Sequence, residues 1–473
     1  MGVPREQFGS RLGFVLAAAG SAVGIGNMVG FPVAAAKNGG GAFLLMYAIF
    51  IAFICLPVML AEMSVGRHSR KDPLGAYSKL TGGERSWKLA GWLSIITPFM
   101  IAVFYLVITV WIFGYLFQSV TGNLDMLADP NTFGTFINGY DLSLYMVAVI
   151  TIVYLILQGG VKDGIEKAAK LMMPALFVML IGLVIFVLTL DNAMAGVRYY
   201  LIPDFSKIDA SVVSAALSQA FFSLSLGMGI MITYGSYLDD KTDVPGSAKL
   251  VALMDTGVAF IAGLLILPAV FSFNPNTNMA DLSDSSVGMI FTFLPQIFLA
   301  LQVNIGFAGA SIVASLFFLL VFFAAITSLV SIFEVPVAAL MENKGFSRKK
   351  SLGWLGLLLI IIAVISGTSF GLVSFFTEFV TYAGQSKSFF DVVIDVFYDT
   401  ILPFNGFLIC LFVIYRWKKS NFNKELDKGS PDYQNSWFEK YVDFSVGTFI
   451  PVILLLIFIN TVALKYFGQA LIG

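Results

Sequence analysis

The sequence predicts an all-α integral membrane protein, from its composition and from the length of its apolar runs. The chain has 473 residues, of which 58% are hydrophobic and only 12% are charged, whereas soluble domains carry roughly 25% charged residues. Mean hydropathy is +0.87, and the apolar runs reach about 20 residues, the length that crosses the hydrocarbon core. We therefore expect a single transmembrane domain over residues 1–473, without a separate soluble domain.

We count about eleven such runs and call them spans 1 to 11. The fourth is short, the eighth is long, and residues 370–388 are ambiguous between a loop and a loop helix. The spans are predicted near residues 12–36, 42–66, 90–118, 142–158, 168–190, 211–238, 249–273, 305–340, 352–369, 389–415 and 440–467.

Basic residues are distributed unevenly between successive loops. If the N-terminus is cytoplasmic, all but five of the 28 lysines and arginines fall in cytoplasmic segments. The five outer ones are Lys37, Arg198, Lys207, Lys387 and Lys465. The positive-inside rule thus predicts a multi-pass protein of the inner (plasma) membrane with a cytoplasmic N-terminus. An odd number of spans then places the C-terminus outside the cell.

Composition argues against several classes of function. Net charge is −1, so we expect no nucleic-acid partner. Cys55 and Cys410 lie in apolar runs and His68 is the single histidine, so a metalloenzyme is not expected. We find no nucleophile with a base and an acid, and we predict that the protein is not an enzyme. A channel would need a continuous polar pore or filter loops, which the sequence does not offer.

Spans 1 and 6 contain glycine clusters at which a helix is expected to break. Residues 20–27 read GSAVGIGN and residues 223–229 read SLSLGMG. Glycine costs about 1 kcal/mol against alanine inside a helix, and backbone groups freed within a membrane need new partners. A lone glycine pair would indicate only close helix packing. Two breaks, at corresponding places, are instead typical of transporters built from inverted repeats, here about 12–190 and 211–415, with an extra helix at about 440–467.

Three segments carry a resemblance to a known family. They are RLGFVLAAAGSAVGIGN with the following FP and NGGGAF, then QAFFSLSLGMGIMITYGSY, then FFAAITSLVSIFEVPVAAL. Together, and in this order, they resemble the neurotransmitter:sodium symporter family over essentially the whole chain. The resemblance implies the LeuT fold, a 5+5 inverted repeat with helices 1 and 6 unwound. It also implies sodium-coupled symport of an amino acid by alternating access.

The same resemblance implies two sodium sites. The first would use the Ala22 carbonyl, the Asn27 side chain, the carbonyl and hydroxyl of Ser223, Asp255 and the substrate carboxylate. The second would use the carbonyls of Gly20, Val23 and Ala324 and the hydroxyls of Thr327 and Ser328. Carbonyls freed by unwinding suit a hard cation, although such hydroxyls also commonly bond to their own helix.

The resemblance places a substrate site at the break in span 1. The substrate carboxylate would meet N–H groups near Gly24 and Gly26, where helix ends favour an anion, and the hydroxyl of Tyr105. The other expected lining residues are Ser21, Ala22, Ile101, Phe222, Ser223, Ser225, Met228, Ser328 and Ile332. None is charged, and a buried unpaired charge is costly. Because methionine is flexible, Met228 should widen the pocket, so we expect a neutral, large hydrophobic or aromatic L-amino acid.

The chain departs from the family pattern at its outer gate. Gly30 stands in the place of an arginine that pairs with an aspartate of span 10, here Asp395. We expect Asp395 to be solvated in the outer vestibule, and closure to depend on Gln219, Phe222 and Tyr105. The inner gate keeps Arg5 with Glu342, and Tyr237 with Glu334. The simpler alternatives are a positive-inside charge for Arg5 and a solvated loop position for Glu342.

Asp255 stands at a position where the family resemblance would place an asparagine. A carboxylate inside a span is a functional candidate, and Asp255 would neutralise the positive charge left by two sodium ions and one substrate carboxylate. We therefore predict transport that does not need chloride. The alternative is a helix-end residue near the cytoplasmic loop. In span 5, Gly164 and Pro174 resemble a bacterial motif linked to unwinding, for which a simple proline kink is the alternative.

These expectations define the partners and the competing functions. Sodium, as two ions, would be the coupled ion, an amino acid the cargo, and the lipid bilayer the surroundings of a monomer or weak homodimer. The first alternative is the same fold carrying another small zwitterion or amine, such as GABA or taurine. A non-transporting amino-acid sensor is the remaining alternative.

Overall fold

Long apolar helices dominate the chain because a helix satisfies its own backbone hydrogen bonds without water. The computed structural model describes residues 5–273 and 286–471. Within these ranges nine helices are long and apolar enough to cross a membrane, and the bent pair of span 1 makes ten. Span 6 accounts for the difference from the predicted count of about eleven, because it consists of two short helices.

The first predicted repeat contains spans 1 to 5 and their short connecting helices. Span 5 begins with a π-helical turn that contains Gly164, and Pro174 lies inside its α-helix. In chain order the helices are Arg11–Ala22, Gly26–Gly30, Phe31–Lys37, Gly41–Phe50, Ile51–Cys55, Leu56–Ser69, Pro73–Thr81, Arg85–Val120, Leu124–Leu127, Thr132–Phe136, Asp141–Gln158, Val161–Glu166 and Lys167–Leu188.

The second half runs from the short helices that precede span 6 to span 11. In chain order its helices are Ala193–Leu201, Phe205–Lys207, Ala210–Ser223, Ile230–Gly235, Val244–Phe273, Ser286–Gly288, Met289–Phe293, Leu294–Ala300, Gln302–Lys344, Arg348–Thr368, Ser374–Thr377, Phe389–Val393, Ile394–Ile401, Leu402–Leu411, Phe412–Arg416, Lys419–Asp427, Trp437–Gly447 and Phe449–Phe467. The ambiguous stretch 370–388 forms the short helix Ser374–Thr377 and an antiparallel hairpin of β1 (Val380–Tyr382) and β2 (Gln385–Lys387).

Spans 3 and 8 form the centre of the helix bundle. They pack along each other, and their most apolar windows are 83% and 78% buried, against 22% for span 4 and 28% for span 9. The first half of span 1 packs against spans 5, 7 and 8, and span 11 packs against span 10. The broken spans therefore lie inside the bundle, while spans 4 and 9 present most of their surface to the surroundings.

Both glycine clusters interrupt their helices. The two halves of span 1 meet at an angle of 55°, and the N–H groups of Gly24 and Ile25 bond to the Asn27 side chain and the Tyr105 hydroxyl. These partners replace helix carbonyls, as a break in a membrane requires.

In span 6 the freed groups find partners on other helices. The Gly227 N–H donates to Glu62 Oε1 at 2.7 Å, and Asn405 donates to the Gly227 carbonyl at 2.8 Å. Gly227 and Gly229 have φ values of +75° and +67°, which glycine adopts without the steric cost of a Cβ. The glycines predicted to break span 6 are thus the residues at which its backbone turns.

Candidate functional site

Four polar side chains from four spans meet at one side of the break in span 1. Asn27 Nδ2 donates to Asp255 Oδ1 at 2.7 Å and to Ser223 Oγ at 3.0 Å. Ser223 Oγ lies 3.0 and 2.9 Å from the two Asp255 oxygens, and the Tyr47 hydroxyl lies 2.9 Å from Ser223 Oγ. All four residues are buried. Asp255 lies well inside Val244–Phe273, so it is not the helix-end residue of the alternative interpretation.

A second group of oxygens lies on the opposite side of the break, where span 8 touches span 1. Ser328 Oγ lies 3.4 Å from the carbonyl oxygens of both Gly20 and Val23. Thr327 Oγ1 instead bonds within its own helix, to the carbonyls of Phe323 and Ala324. The predicted second-site residues are therefore brought together, with Ser328 directed towards span 1 and Thr327 back-bonded.

Gly24 makes close contact with the hydroxyls around it. A Cβ at Gly24 would lie 2.6 Å from the Tyr105 hydroxyl and 2.8 Å from Ser328 Oγ. Tyr105 is buried in the middle of Arg85–Val120, and its hydroxyl accepts the Ile25 N–H at 3.2 Å. The freed N–H groups and a tyrosine hydroxyl therefore converge where the carboxylate was predicted.

The remaining predicted pocket residues divide into apolar and hydroxyl-bearing groups. Ile101, Met228 and Ile332 are buried, and Phe222 is half-buried. Ser21 Oγ lies 3.4 Å from Ser225 Oγ, and Ser225 Oγ donates to the Ser21 carbonyl at 2.9 Å. The pocket carries no charged side chain among these residues, but it is more polar than its aliphatic members suggest.

A cavity of about 370 Å³ lies directly beyond the break. Phe222 and Tyr398 form its floor, with ring centroids 4.2 Å apart. Gln219 donates to the Gly26 carbonyl at 3.1 Å beside them. The lining residues are Ile25, Gly26, Gly30, Val33, Ala34, Lys37, Phe104, Tyr105, Ile108, Gln219, Phe222, Ile394 and Tyr398. Gly30 thus faces the cavity at the position where the family pattern has arginine.

Asp395 is not solvated in this cavity, and that expectation was wrong. The residue is 4% exposed, and its carboxylate bonds to Lys465 Nζ and to the Tyr382 hydroxyl, each at 2.7 Å. The β hairpin and span 11 cover this part of span 10, and they supply a cation that the cavity lacks at Gly30. Lys465 also pairs with Asp399 at 2.7 Å.

On the other side of the break, ion pairs join the helix ends. Arg5 pairs with Glu342 at 2.7 Å, as predicted, and Glu342 also pairs with Lys71. The predicted contact of Tyr237 with Glu334 is present at 2.7 Å. Glu342 is therefore more than a solvated loop residue.

A third residue completes the contact of Tyr237 with Glu334. Arg348 donates one hydrogen bond to each Glu334 oxygen, both at 2.7 Å. This is the bidentate geometry that suits a guanidinium and a carboxylate. The Glu334 side chain is fully buried. The cluster therefore joins the second half of span 6, span 8 and the start of span 9.

Several of these residues were missed in the sequence. Tyr47 and Tyr398 look like ordinary apolar-run aromatics, and Arg348 and Lys465 look like loop or helix-end charges. The available signal was their pairing with buried acids, since Asp255, Glu334 and Asp395 each needed a partner inside the protein. The sequence does not state which distant residue supplies that partner.

Comparisons with known proteins agree with this architecture. The family model described as Sodium:neurotransmitter symporter family matches residues 5–135 and 131–469. The uncharacterized sodium-dependent transporter YhdH of Bacillus subtilis is 33% identical over 469 residues, covering 98% of each chain. An uncharacterized sodium-dependent transporter of Methanocaldococcus jannaschii is 33% identical, covering 95% of this chain and 89% of its own.

A solved structure is similar over nearly the whole chain. It is the crystal structure of MhsT in complex with L-phenylalanine, with a TM-score of 0.81 and 37% sequence identity. The match covers 96% of the present chain and 99% of the solved one. The match confirms the predicted fold class, a helical membrane bundle of the LeuT type.

Proposed function

The chain belongs to the sodium:neurotransmitter symporter family, a family of sodium-dependent membrane transporters and not of enzymes, and we propose that it couples sodium entry to the uptake of a neutral, large hydrophobic or aromatic L-amino acid. One observation carries this proposal. The freed N–H groups and the Tyr105 hydroxyl lie between two groups of buried oxygens. An anion seat beside two cation sites suits an amino acid carried together with sodium.

Two sodium ions would bind, one on each side of the break. The first would take oxygens of Ala22, Ser223 and Asp255, and Asn27 would turn its amide so that Oδ1 replaces Nδ2. The second would take the carbonyls of Gly20, Val23 and Ala324 with the hydroxyls of Ser328 and Thr327. The chemistry of both donor sets supports this assignment, because sodium is a hard cation and every donor is an oxygen. Binding at the second site would require Thr327 to release its own helix.

The pocket supports selection of an uncharged side chain. Its buried members Ile101, Met228 and Ile332 offer no partner for a charge, and an unpaired charge in such surroundings is costly. The L-phenylalanine bound by the similar protein MhsT agrees with an aromatic cargo. GABA or taurine transport and a sensor role stay as alternatives.

Alternating access would use the two sides of the break in turn. The cavity above Phe222 and Tyr398 would be the extracellular vestibule, and the pairs Arg5–Glu342 and Arg348–Glu334 would close the cytoplasmic side. This assignment places the N-terminus in the cytoplasm and the C-terminus outside a plasma membrane. We propose one domain of two inverted repeats, at about 12–190 and 211–415, acting as a monomer or weak homodimer.

Uptake into proteoliposomes tests this function. Vesicles with an inward sodium gradient should accumulate labelled leucine, tyrosine or tryptophan, and matched vesicles with potassium in place of sodium should not. Glycine is the control for pocket size. Accumulation of glycine while the three larger amino acids fail would contradict the pocket assignment, and binding without accumulation would favour a sensor.

A further inference from the structure

Three serine hydroxyls from three different spans meet at the inner end of the substrate pocket. Ser21 comes from span 1, Ser225 from the break in span 6, and Ser331 from span 8. Ser331 Oγ lies 2.7 Å from Ser21 Oγ, and Ser21 Oγ lies 3.4 Å from Ser225 Oγ. All three are buried. Ser331 lies one helical turn beyond Ser328 on the side of Glu334, so it lies deeper than the carboxylate seat.

The protons of these hydroxyls can be assigned from their partners. Each serine hydroxyl has one proton and two acceptor positions. Ser225 gives its proton to the Ser21 carbonyl at 2.9 Å, and Ser331 gives its own to Ser21 Oγ at 2.7 Å. The Ser21 proton goes to Ser225 Oγ at 3.4 Å. All three donors are satisfied, and acceptor positions on the Ser21 and Ser225 oxygens are left for a ligand.

The backbone at Ser225 gives a second and independent indication. Its φ is +54°, a left-handed conformation that is unfavourable for a residue with a Cβ, and such strain clusters at ligand sites. The Gly227 and Gly229 that follow adopt positive φ without this cost. The strained conformation holds the Ser225 hydroxyl against Ser21, so the backbone of the break positions this hydroxyl in the cluster.

We propose that these three serines form a subsite for a hydroxyl group, and that the cargo is a neutral amino acid with a hydroxylated side chain, such as tyrosine. This inference rests on the proposed amino-acid site and narrows its substrate class. The side-chain O–H of the ligand donates to Ser21 Oγ. Because the serines satisfy one another without a ligand, the corresponding hydrocarbon side chain is disfavoured but not rejected.

Two pairs of amino acids that differ by a hydroxyl test the proposal. The dissociation constants are measured from thermal stabilisation of the purified protein in sodium, for tyrosine against phenylalanine and for threonine against valine. Thermal stabilisation depends on the ratio of ligand concentration to dissociation constant. The hydroxylated member of at least one pair should bind about three- to tenfold more tightly, the usual net effect of one hydrogen bond. Equal or weaker binding by both hydroxylated members overturns the proposal.

Variants separate the subsite from a general effect on folding. Ser21→Ala removes the proposed acceptor and should reduce the preference to about twofold or less, and Ser21→Thr, which keeps a hydroxyl, should retain it. Ser331→Ala removes the donor that occupies one acceptor position of Ser21 Oγ, so the preference should persist or widen. Ser445→Ala is the matched control, because the Ser445 hydroxyl is buried in span 11 and donates to the Tyr441 carbonyl of its own helix.

The outcomes distinguish this inference from the proposed function. If Ser21→Ala keeps the preference of the parent protein, or Ser331→Ala abolishes it, the assigned subsite is wrong even though amino-acid transport stands. If the preference behaves as described but sodium-driven uptake fails, the subsite stands and the symport proposal does not. Binding is measured without transport, so each result bears on only one of the two claims.

Discussion

At the scale of single residues, Gly24 is a position at which an added methyl group would crowd the proposed site. Gly24→Ala would place a methyl group 2.6 Å from the Tyr105 hydroxyl, and crowding of this kind costs about 1–3 kcal/mol. We expect sodium-driven uptake to fall by about tenfold or more. Gly182→Ala is the control, because a Cβ at Gly182 in span 5 meets nothing within 4 Å. Equal uptake by the two variants would refute the assigned contact.

The buried carboxylate of Asp255 leads to a prediction about chloride. Its carboxylate is buried with Asn27, Ser223 and Tyr47, and it would supply the negative charge that balances a second sodium ion. Uptake should therefore be unchanged when chloride is replaced by gluconate at constant sodium. The uptake rate in the two media is the measurement. A loss of more than half of the rate without chloride would contradict this role of Asp255.

At the scale of the element, span 11 holds span 10 through Lys465. Lys465→Met would leave Asp395 buried without its main cation, and we expect about 2 kcal/mol of destabilisation, between the values for exposed and buried ion pairs. Thermal unfolding of the purified protein measures it. Adding Asp395→Asn should restore part of the loss, because the unpaired charge is then absent.

The control for this experiment is an exposed lysine. Lys424 lies on the surface of the helix Lys419–Asp427, and Lys424→Met should change the melting temperature little. If Lys465→Met is as harmless as Lys424→Met, the pairing does not hold span 10 in place.

The helix Lys419–Asp427 is attached to the end of span 2 by Glu425. Arg67 is fully buried and its Nε lies 2.7 Å from Glu425 Oε1. Burial alone would raise the pKa of Glu425, but hydrogen bonds from His68 and Lys428, with the charge of Arg67, lower it to about 2 from its usual 4.5. A carboxylate with a lowered pKa stabilises the fold fully above pH 4.5, and this stabilisation is lost as the pH falls towards 2.

We therefore expect Glu425→Gln to lower the melting temperature at pH 7 and to reduce its decline between pH 5 and pH 3. Scans of the variant and the parent protein at several pH values provide the comparison. Parallel pH profiles with equal melting temperatures would show that the contact contributes nothing to stability.

The helix breaks could be predicted from the sequence, but the surroundings of Asp395 could not. Glycine clusters predicted both helix breaks, because Gly227 and Gly229 adopt positive φ in span 6 and Gly24 in span 1 leaves no room for a Cβ. The environment of Asp395 was not predictable, since the β hairpin and span 11 that cover it are distant in sequence. Their positions depend on packing that span 10 does not encode.

At the scale of the whole molecule, the order of apolar runs and the family motifs together predicted the fold. The count of continuous membrane helices was less predictable, because span 6 separates into two helices too short to qualify alone. Of the site, the main-chain and hydroxyl groups near the breaks were predicted from the motifs. Tyr47, Ser331, Tyr398 and Arg348 were not, because each belongs to the site only through a contact between distant spans.

At the same scale, the proposed function requires that amino-acid and sodium movements are coupled. Coupling is reciprocal, since each gradient must be able to drive the other flux. Proteoliposomes with equal sodium on both sides and an inward gradient of the best transported amino acid are given labelled sodium, with the membrane potential clamped. We expect net sodium entry that stops when the amino-acid gradient is removed. Amino-acid entry without net sodium movement would contradict this coupling.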